Sequence, residues 1–135
     1  MIRKVTADTN IYISALNFGG NPERILMLAR AGVLELAISD MILSEIARVL
    51  TLKFHWASGP LEDALFEIAS YTRPIRPTKK LAVITTDPAD NCILECALEA
   101  RSEYIVSGDS HLLRIGSYAG VPILPPSTFL ESLRQ

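Results

Sequence analysis

Two aspartates directly follow segments that have the composition of β-strands. Asp8 comes after the run RKVTA, and Asp109 comes after YIVSG. In open parallel sheets, ligands bind in the crevice beyond the carboxyl ends of the strands, so both carboxylates are predicted to point into that region. A helix N-cap or an Asx turn explains either residue equally well when it is considered alone, because strand-to-helix loops commonly use aspartate in these ways.

A third aspartate, Asp90, lies at the start of a predicted helix over residues 89–101. At 100° per residue, its direction coincides with an apolar stripe formed by Ile93, Leu94, Ala97 and Leu98. A carboxylate on a buried face is costly unless it is paired or bound to a cation, although the helix dipole reduces this cost in the first turn. Asp87 is the better N-cap candidate. Asp90 therefore needs another explanation.

Glu45 is the fourth acidic candidate, and it lies at the margin of the buried face of a predicted helix over residues 40–50. A solvated surface glutamate is the simpler interpretation of this residue alone. Four converging carboxylates would repel one another and could not all stay ionised unaided, whereas a divalent cation removes that penalty. Ligands that are all oxygen favour Mg²⁺ or Mn²⁺ over zinc. Such a site supports hydrolysis of phosphodiesters.

Three polar residues flank the acids: Thr9, Asn10 and Ser107. They could orient water molecules bound to a metal. Hydrogen bonds to the local backbone are an equally good interpretation, because loop hydroxyls and amides usually make them.

The elements that must position these residues alternate between strand and helix. This pattern predicts a single α/β domain over residues 1–135. Its central sheet is expected to be mainly parallel, with four or five strands, and to be flanked by helices. Strands are predicted over residues 3–7, 34–38, 81–86, 104–107 and 121–124. Helices are predicted over residues 21–32, 40–50, 60–69, 89–101 and 126–133.

Composition narrows the class of protein. A chain of 135 residues with 49% hydrophobic residues is long and apolar enough for one folded domain. The net charge of −2 excludes a polycationic nucleic-acid-binding protein of the histone kind. Its two cysteines, Cys92 and Cys96, are expected to pack as small hydrophobic side chains in a reducing cytoplasm. No apolar run is long enough to predict a membrane span.

The order and spacing of these motifs resemble those of a PIN domain, in particular the toxin branch related to VapC ribonucleases. The resemblance covers most of the chain, and the segments that carry it are DTN at 8–10, SEI at 44–46, DPADN at 87–91, ECALEA at 95–100, YIVSGD at 104–109 and VPIL at 121–124. It implies that Asp8, Glu45, Asp90 and Asp109 bind the metal, with Thr9, Asn10 and Ser107 as near neighbours. It also implies Mg²⁺- or Mn²⁺-dependent cleavage of RNA, a homodimer and a cognate antitoxin.

Residues that could contact RNA are less clearly marked. Arg73, Arg76, Lys79 and Lys80 fall within a stretch that contains no acid, so phosphate contact and a solvated loop are both open. His111 could be catalytic or an ordinary loop histidine. The aromatic run at 54–56 could form a base-stacking surface, a dimer contact or part of the core.

The sequence thus predicts a metal-dependent endoribonuclease that acts as the toxin of a type II toxin–antitoxin pair. Two alternatives belong to other classes. A phosphatase with Asp8 as the nucleophile would need a second aspartate two residues later, where this chain has Asn10. A non-catalytic module that binds nucleic acid or protein would use all four acids as helix caps and surface charges.

Overall fold

Strands and helices alternate along residues 2–81 and 88–134, the part of the chain that the computed structural model describes. The strands are β1 Arg3–Ala7, β2 Leu34–Ile38, β3 Thr72–Pro74, β4 Tyr104–Val106, β5 Ser117–Tyr118 and β6 Val121–Leu124. The helices are α1 Thr9–Phe18, α2 Gly20–Arg30, α3 Asp40–Leu52, α4 Ser58–Tyr71, α5 Pro88–Ala100, α6 Ser110–Ile115 and α7 Pro126–Ser132.

These strands form one sheet in the order β3-β2-β1-β4-β6-β5, in which only the pairing of β5 with β6 is antiparallel. The last residues of β1 and β4, Ala7 and Val106, are register partners. The carboxyl ends of these two central strands therefore lie side by side. The residues that follow them, Asp8 and Ser107, lie at the same edge of the sheet.

The predicted fold class is confirmed: the domain is α/β, with a mostly parallel sheet flanked by helices. Within the described residues the sheet has six strands, where four or five were predicted, and the two that the sequence did not predict, β3 and β5, are edge strands of only three and two residues. Such short runs carry too little periodicity to predict. The strand predicted over 81–86 falls almost wholly outside the described residues.

Helix α1 is not predicted by the sequence pattern. It contains the β-branched residues Thr9, Ile11 and Ile13, which lower intrinsic helix propensity. In the fold, Ile11, Tyr12 and Ile13 are all buried, so tertiary packing stabilises a helix that propensity alone would not.

The core occupies both faces of the sheet and includes fully buried side chains from its two central strands, Val5 and Ile105. Cys96 packs into this core from α5, and burial raises the pKa of its thiol to about 12. Both cysteines are free thiols, in line with the predicted packing role. Among the described residues, no helix is long and apolar enough to cross a membrane.

Candidate active site

A polar pocket opens beyond the carboxyl ends of β1 and β4. Its walls come from the β1–α1 junction, from α3, from the first turn of α5 and from the β4–α6 loop. The lining residues are Asp8, Thr9, Asn10, Glu45, Arg48, Val49, Leu52, Lys53, Ala89, Asp90 and Asp109. All four acids singled out in the sequence thus line one pocket, although they come from positions up to 101 residues apart.

Asp8 is the most constrained of these acids. Its backbone N–H continues the β1–β4 ladder by donating to the carbonyl of Val106 at 2.9 Å, and its side chain is only 4% exposed. Although Asp8 occupies the N-cap position of α1, its carboxylate makes no capping hydrogen bond there. The carboxylate instead accepts a hydrogen bond from Ser107 and lies near the backbone amides of Thr9 and Asn10.

The pKa of Asp8 is raised above its ordinary value. Burial is the largest cause, and the nearby charge of Asp109 adds to it. A hydrogen bond from the Ser107 hydroxyl to Asp8 Oδ2, at 2.8 Å, opposes the shift, as do the adjacent backbone amides of Asn10 and Thr9. Without a cation, the folded protein therefore disfavours the ionised carboxylate.

Ser107 links two of the acids. Its fully buried hydroxyl donates to Asp8 and accepts a hydrogen bond from the backbone N–H of Asp109 at 2.9 Å. Asp109 also caps α6, because its Oδ1 accepts from the backbone N–H of His111 at 2.7 Å. The capping interpretation thus holds for Asp109, which lines the pocket at the same time.

Asp90 lies in the first turn of α5 and is 4% exposed, as its place on the apolar stripe predicts. One potential ligand atom from each of Asp90, Asp109 and His111 lies within 4.8 Å of the other two. His111, for which the sequence left two roles open, is thereby placed beside two of the acids.

Glu45 lies in α3 with its side chain 25% exposed, and its carboxylate is held by Arg48. The guanidinium donates from Nε to Oε2 at 3.0 Å and from Nη2 to Oε1 at 2.7 Å, which is the two-point geometry typical of Arg–carboxylate pairs. Sequence reasoning missed Arg48. The available signal was its spacing, since residues three apart on a helix lie on the same face.

The three predicted flanking residues have different surroundings. Ser107 is buried between the two aspartates, Thr9 is buried in the pocket wall, and Asn10 is exposed at its rim. Ser107 makes the contacts with the acids that a positioning residue requires.

The basic segment at 73–80 is not among the residues that line this pocket. Arg73 lies in β3 and pairs with Glu35 at 3.2 Å. Thr78 donates to Glu99 and the Leu81 amide donates to Glu95, so the segment that carries Lys79 and Lys80 follows the second half of α5. Glu99 is nine residues from Asp90, about 14 Å along the helix axis. The cations in the described pocket wall are Arg48 and Lys53.

The residues of the pocket fit a divalent cation. Carboxylate oxygens from separate elements line one pocket, and a bound cation would offset the cost of burying the charge of Asp8. Asp8, Asp90 and Asp109 could act as oxygen ligands, His111 could add one nitrogen, and Glu45 lines the same pocket from α3. This donor set suits Mg²⁺ or Mn²⁺.

Asp8→Asn should stabilise the metal-free protein at pH 7. Because the pKa of Asp8 is raised in the folded state, the folded protein binds this proton more tightly than the unfolded chain does, and stability falls as the pH rises from 3.8 through the folded pKa. The neutral amide avoids that loss and can still accept from Ser107. We expect Tm in EDTA to rise by a few degrees at pH 7.

The gain should disappear below about pH 3.8, where Asp8 is protonated in both states. Asp63→Asn, at an exposed position on α4, is the matched control and should show no such dependence on pH. A Tm of the Asp8→Asn protein that is lower than that of wild type at pH 7 would contradict the proposed cost of the buried charge.

A family model described as PIN domain matches residues 4–111 of the chain. Ten chains of solved structures also match, among them one in the crystal structure of VapBC2 from Rickettsia felis bound to a DNA fragment from their promoter. That match has a TM-score of 0.63 and 17% sequence identity, and it covers 89% of this chain and 96% of the other. At this identity the likeness shows a shared fold. No curated protein matches the sequence.

Proposed function

Because the chain belongs to the PIN domain family, whose members are nucleases, we propose that it is a divalent-metal-dependent endoribonuclease that hydrolyses RNA phosphodiester bonds. One observation carries the proposal. Asp8, Glu45, Asp90 and Asp109 come from four separate segments and line a single pocket at the carboxyl edge of the parallel sheet. Carboxylates gathered in one pocket repel one another, and a divalent cation removes that repulsion.

The four acids and Ser107 have separate roles in this proposal. Asp8, Asp90 and Asp109 would hold the cation, together with Glu45. When bound, the cation supplies positive charge that polarises the phosphodiester and lowers the pKa of water. Ser107 fixes the orientation of Asp8 and of the Asp109 backbone through its two hydrogen bonds.

The direct test is an assay of purified protein on single-stranded RNA, with Mg²⁺, with Mn²⁺ and with EDTA. We expect cleavage within the strand in either metal and none in EDTA. Metal-independent cleavage would contradict the proposed mechanism. RNA binding without cleavage would instead favour the non-catalytic module.

We also propose that the chain is the toxin of a type II toxin–antitoxin pair and that it works in the cytoplasm. The support is its fold, which is shared with the VapBC2 structure from Rickettsia felis, and the resemblance in its motifs to VapC ribonucleases. The proposal predicts a neighbouring reading frame for a small DNA-binding protein. Its product should co-purify with this chain and suppress RNA cleavage. We expect this chain to be a homodimer when it binds that product.

Arg48→Ala should have opposite effects on the two ligands of the pocket. Without the guanidinium, Glu45 loses its paired cation, so we expect Mn²⁺ to bind several-fold more tightly. RNA binding should weaken, and the slope of log K against log salt should fall by about 1, because one phosphate contact is lost. Calorimetry with Mn²⁺ and RNA binding by anisotropy measure the two effects.

Arg24→Ala, at an exposed position on α2, is the control and should change neither affinity. If Arg48 only held Glu45 in place for the metal, Mn²⁺ binding would weaken instead. That result would remove Arg48 from the proposed RNA contacts.

A further inference from the structure

Two exposed phenylalanines form a pair beside the pocket. Phe18 ends α1 and is 77% exposed, while Phe54 follows α3 and is 36% exposed. Their ring centroids are 6.1 Å apart with an interplanar angle of 69°, an edge-to-face arrangement. We refer to Phe18 and Phe54 as the phenylalanine platform. It leaves a large aromatic surface in contact with solvent.

Hydrogen bonds of the neighbouring residues Asn17 and Trp56 hold the platform in place. Trp56 donates from Nε1 to Asn17 Oδ1 at 3.1 Å, and Asn17 in turn donates to the carbonyl of Ile13 at 2.8 Å. The Trp56 backbone N–H donates to the carbonyl of Leu50 at 3.0 Å. These bonds tie the end of α1 to the end of α3. Trp56 is therefore a support that packs against the core.

The turn that presents Phe54 includes a residue in an uncommon backbone conformation. His55 has a φ of 55°, in the left-handed region that few residues other than glycine adopt. This conformation reverses the chain immediately after Phe54 and brings Trp56 back onto α1. The contacts of Trp56 with α1 offset its free-energy cost.

The platform is linked to the acidic pocket through the end of α3 and along α1. Lys53 lines the pocket, and Phe54 is the next residue. Along α1, Phe18 is nine residues from the pocket residue Thr9, about 14 Å along the helix axis. A strand of RNA with one phosphate at the acids would therefore place a neighbouring base within reach of the platform.

Charge around the platform favours nucleic acid over a second copy of the chain. Lys53 and His55 flank Phe54 in the sequence, and Arg48 lies in α3, the helix that precedes them. Aromatic rings interleaved with cations are the usual means of binding single strands, by stacking bases and attracting phosphates. The core of a protein–protein interface is instead depleted of charge and needs about 800 Å² per partner.

We propose that the phenylalanine platform stacks an unpaired base of single-stranded RNA next to the phosphate at the acidic pocket. The inference rests on the proposed ribonuclease function and assigns to it a base-binding subsite. It adds the end of α3 to the expected RNA path, while contact of RNA with the segment at 73–80 stays a prediction. Because stacking is tolerant of sequence, the subsite contributes affinity for unpaired strands rather than recognition of one base.

The test uses the Asp8→Asn protein, which is not expected to cleave, and a short labelled single-stranded RNA in the presence of Mg²⁺. Phe18→Ala in this background should weaken binding about tenfold, as measured by anisotropy. Phe18→Trp should restore it. Phe66→Ala is the matched control, because Phe66 is 80% exposed on α4 and does not line the pocket. It should leave the affinity unchanged.

A second RNA, with an abasic residue beside the bound phosphate, makes the test specific for stacking. The loss caused by the missing base and the loss caused by Phe18→Ala should not add, because both remove the same contact. Equal losses on the intact and the abasic RNA would overturn the inference. So would an unchanged RNA affinity in a Phe18→Ala protein that has changed from dimer to monomer.

The same experiment separates this inference from the function on which it rests. If the Asp8→Asn protein binds RNA and Phe18→Ala does not weaken it, only the stacking subsite is wrong. If wild-type protein neither binds nor cleaves RNA, the proposed function fails as well.

Discussion

Asp8→Asn should reduce the rate of RNA cleavage by about a thousandfold or more while the protein stays folded. Asp8 is buried at the junction of β1 and α1, and its carboxylate has no capping role that asparagine would lose. The substitution keeps the shape and the bond from Ser107 but removes one negative charge from the proposed cation site. Loss of a group that stabilises charge in the transition state typically costs a factor of about 10² to 10³, and loss of the metal would cost more.

Asp90→Asn should have a similarly large effect, because Asp90 is as buried as Asp8 and lines the same pocket. Single-turnover cleavage of a labelled RNA, with circular dichroism to confirm folding, measures both variants. Asp63→Asn, purified in the same way, controls for contaminating ribonucleases and should cleave at the wild-type rate. Wild-type rates in both Asp8→Asn and Asp90→Asn would disprove the assignment of the active site.

Sequence reasoning reached most of the acidic pocket because two local patterns determine where its residues lie. The carboxyl ends of adjacent parallel strands meet at one edge, which places Asp8 and Asp109 near each other. Helical periodicity places Asp90 on the buried face of α5.

What the sequence did not show depends on contacts between distant segments. The pairing of Arg73 with Glu35 follows from the alignment of β3 with β2, and a three-residue edge strand has no periodicity by which to recognise it. The platform formed by Phe18 and Phe54 requires two helix ends that are 36 residues apart to meet. A local run of cations or aromatic residues therefore does not show which distant residues it will contact.

Mn²⁺ should stabilise the wild-type protein by about 2.7 kcal/mol at a hundredfold excess over its Kd, which corresponds to an increase of about 10 °C in Tm for a chain of this size. Asp109→Ala should abolish the increase in Tm. The charge of Asp109 acts on Asp8, and its carboxylate lies within 4.8 Å of that of Asp90, so its removal breaks up the proposed ligand set. The substitution also removes the N-cap of α6, which lowers stability by itself. The quantity to compare between variant and wild type is therefore the increase in Tm caused by Mn²⁺, not Tm itself. Asp109→Asn, which can still cap, should lose the response as well.

His111→Ala tests whether the imidazole takes part in metal binding. A nitrogen ligand suits Mn²⁺ better than Mg²⁺, which prefers oxygen, so the response to Mn²⁺ should fall more than the response to Mg²⁺. The other histidine of the chain, His55, supplies the matched control, since His55→Ala leaves the pocket lining intact. Equal responses to both metals in His111→Ala and wild type would restrict the ligands to the carboxylates. An Mn²⁺ response that survived in Asp109→Ala would show that Asp109 is not needed to bind the cation.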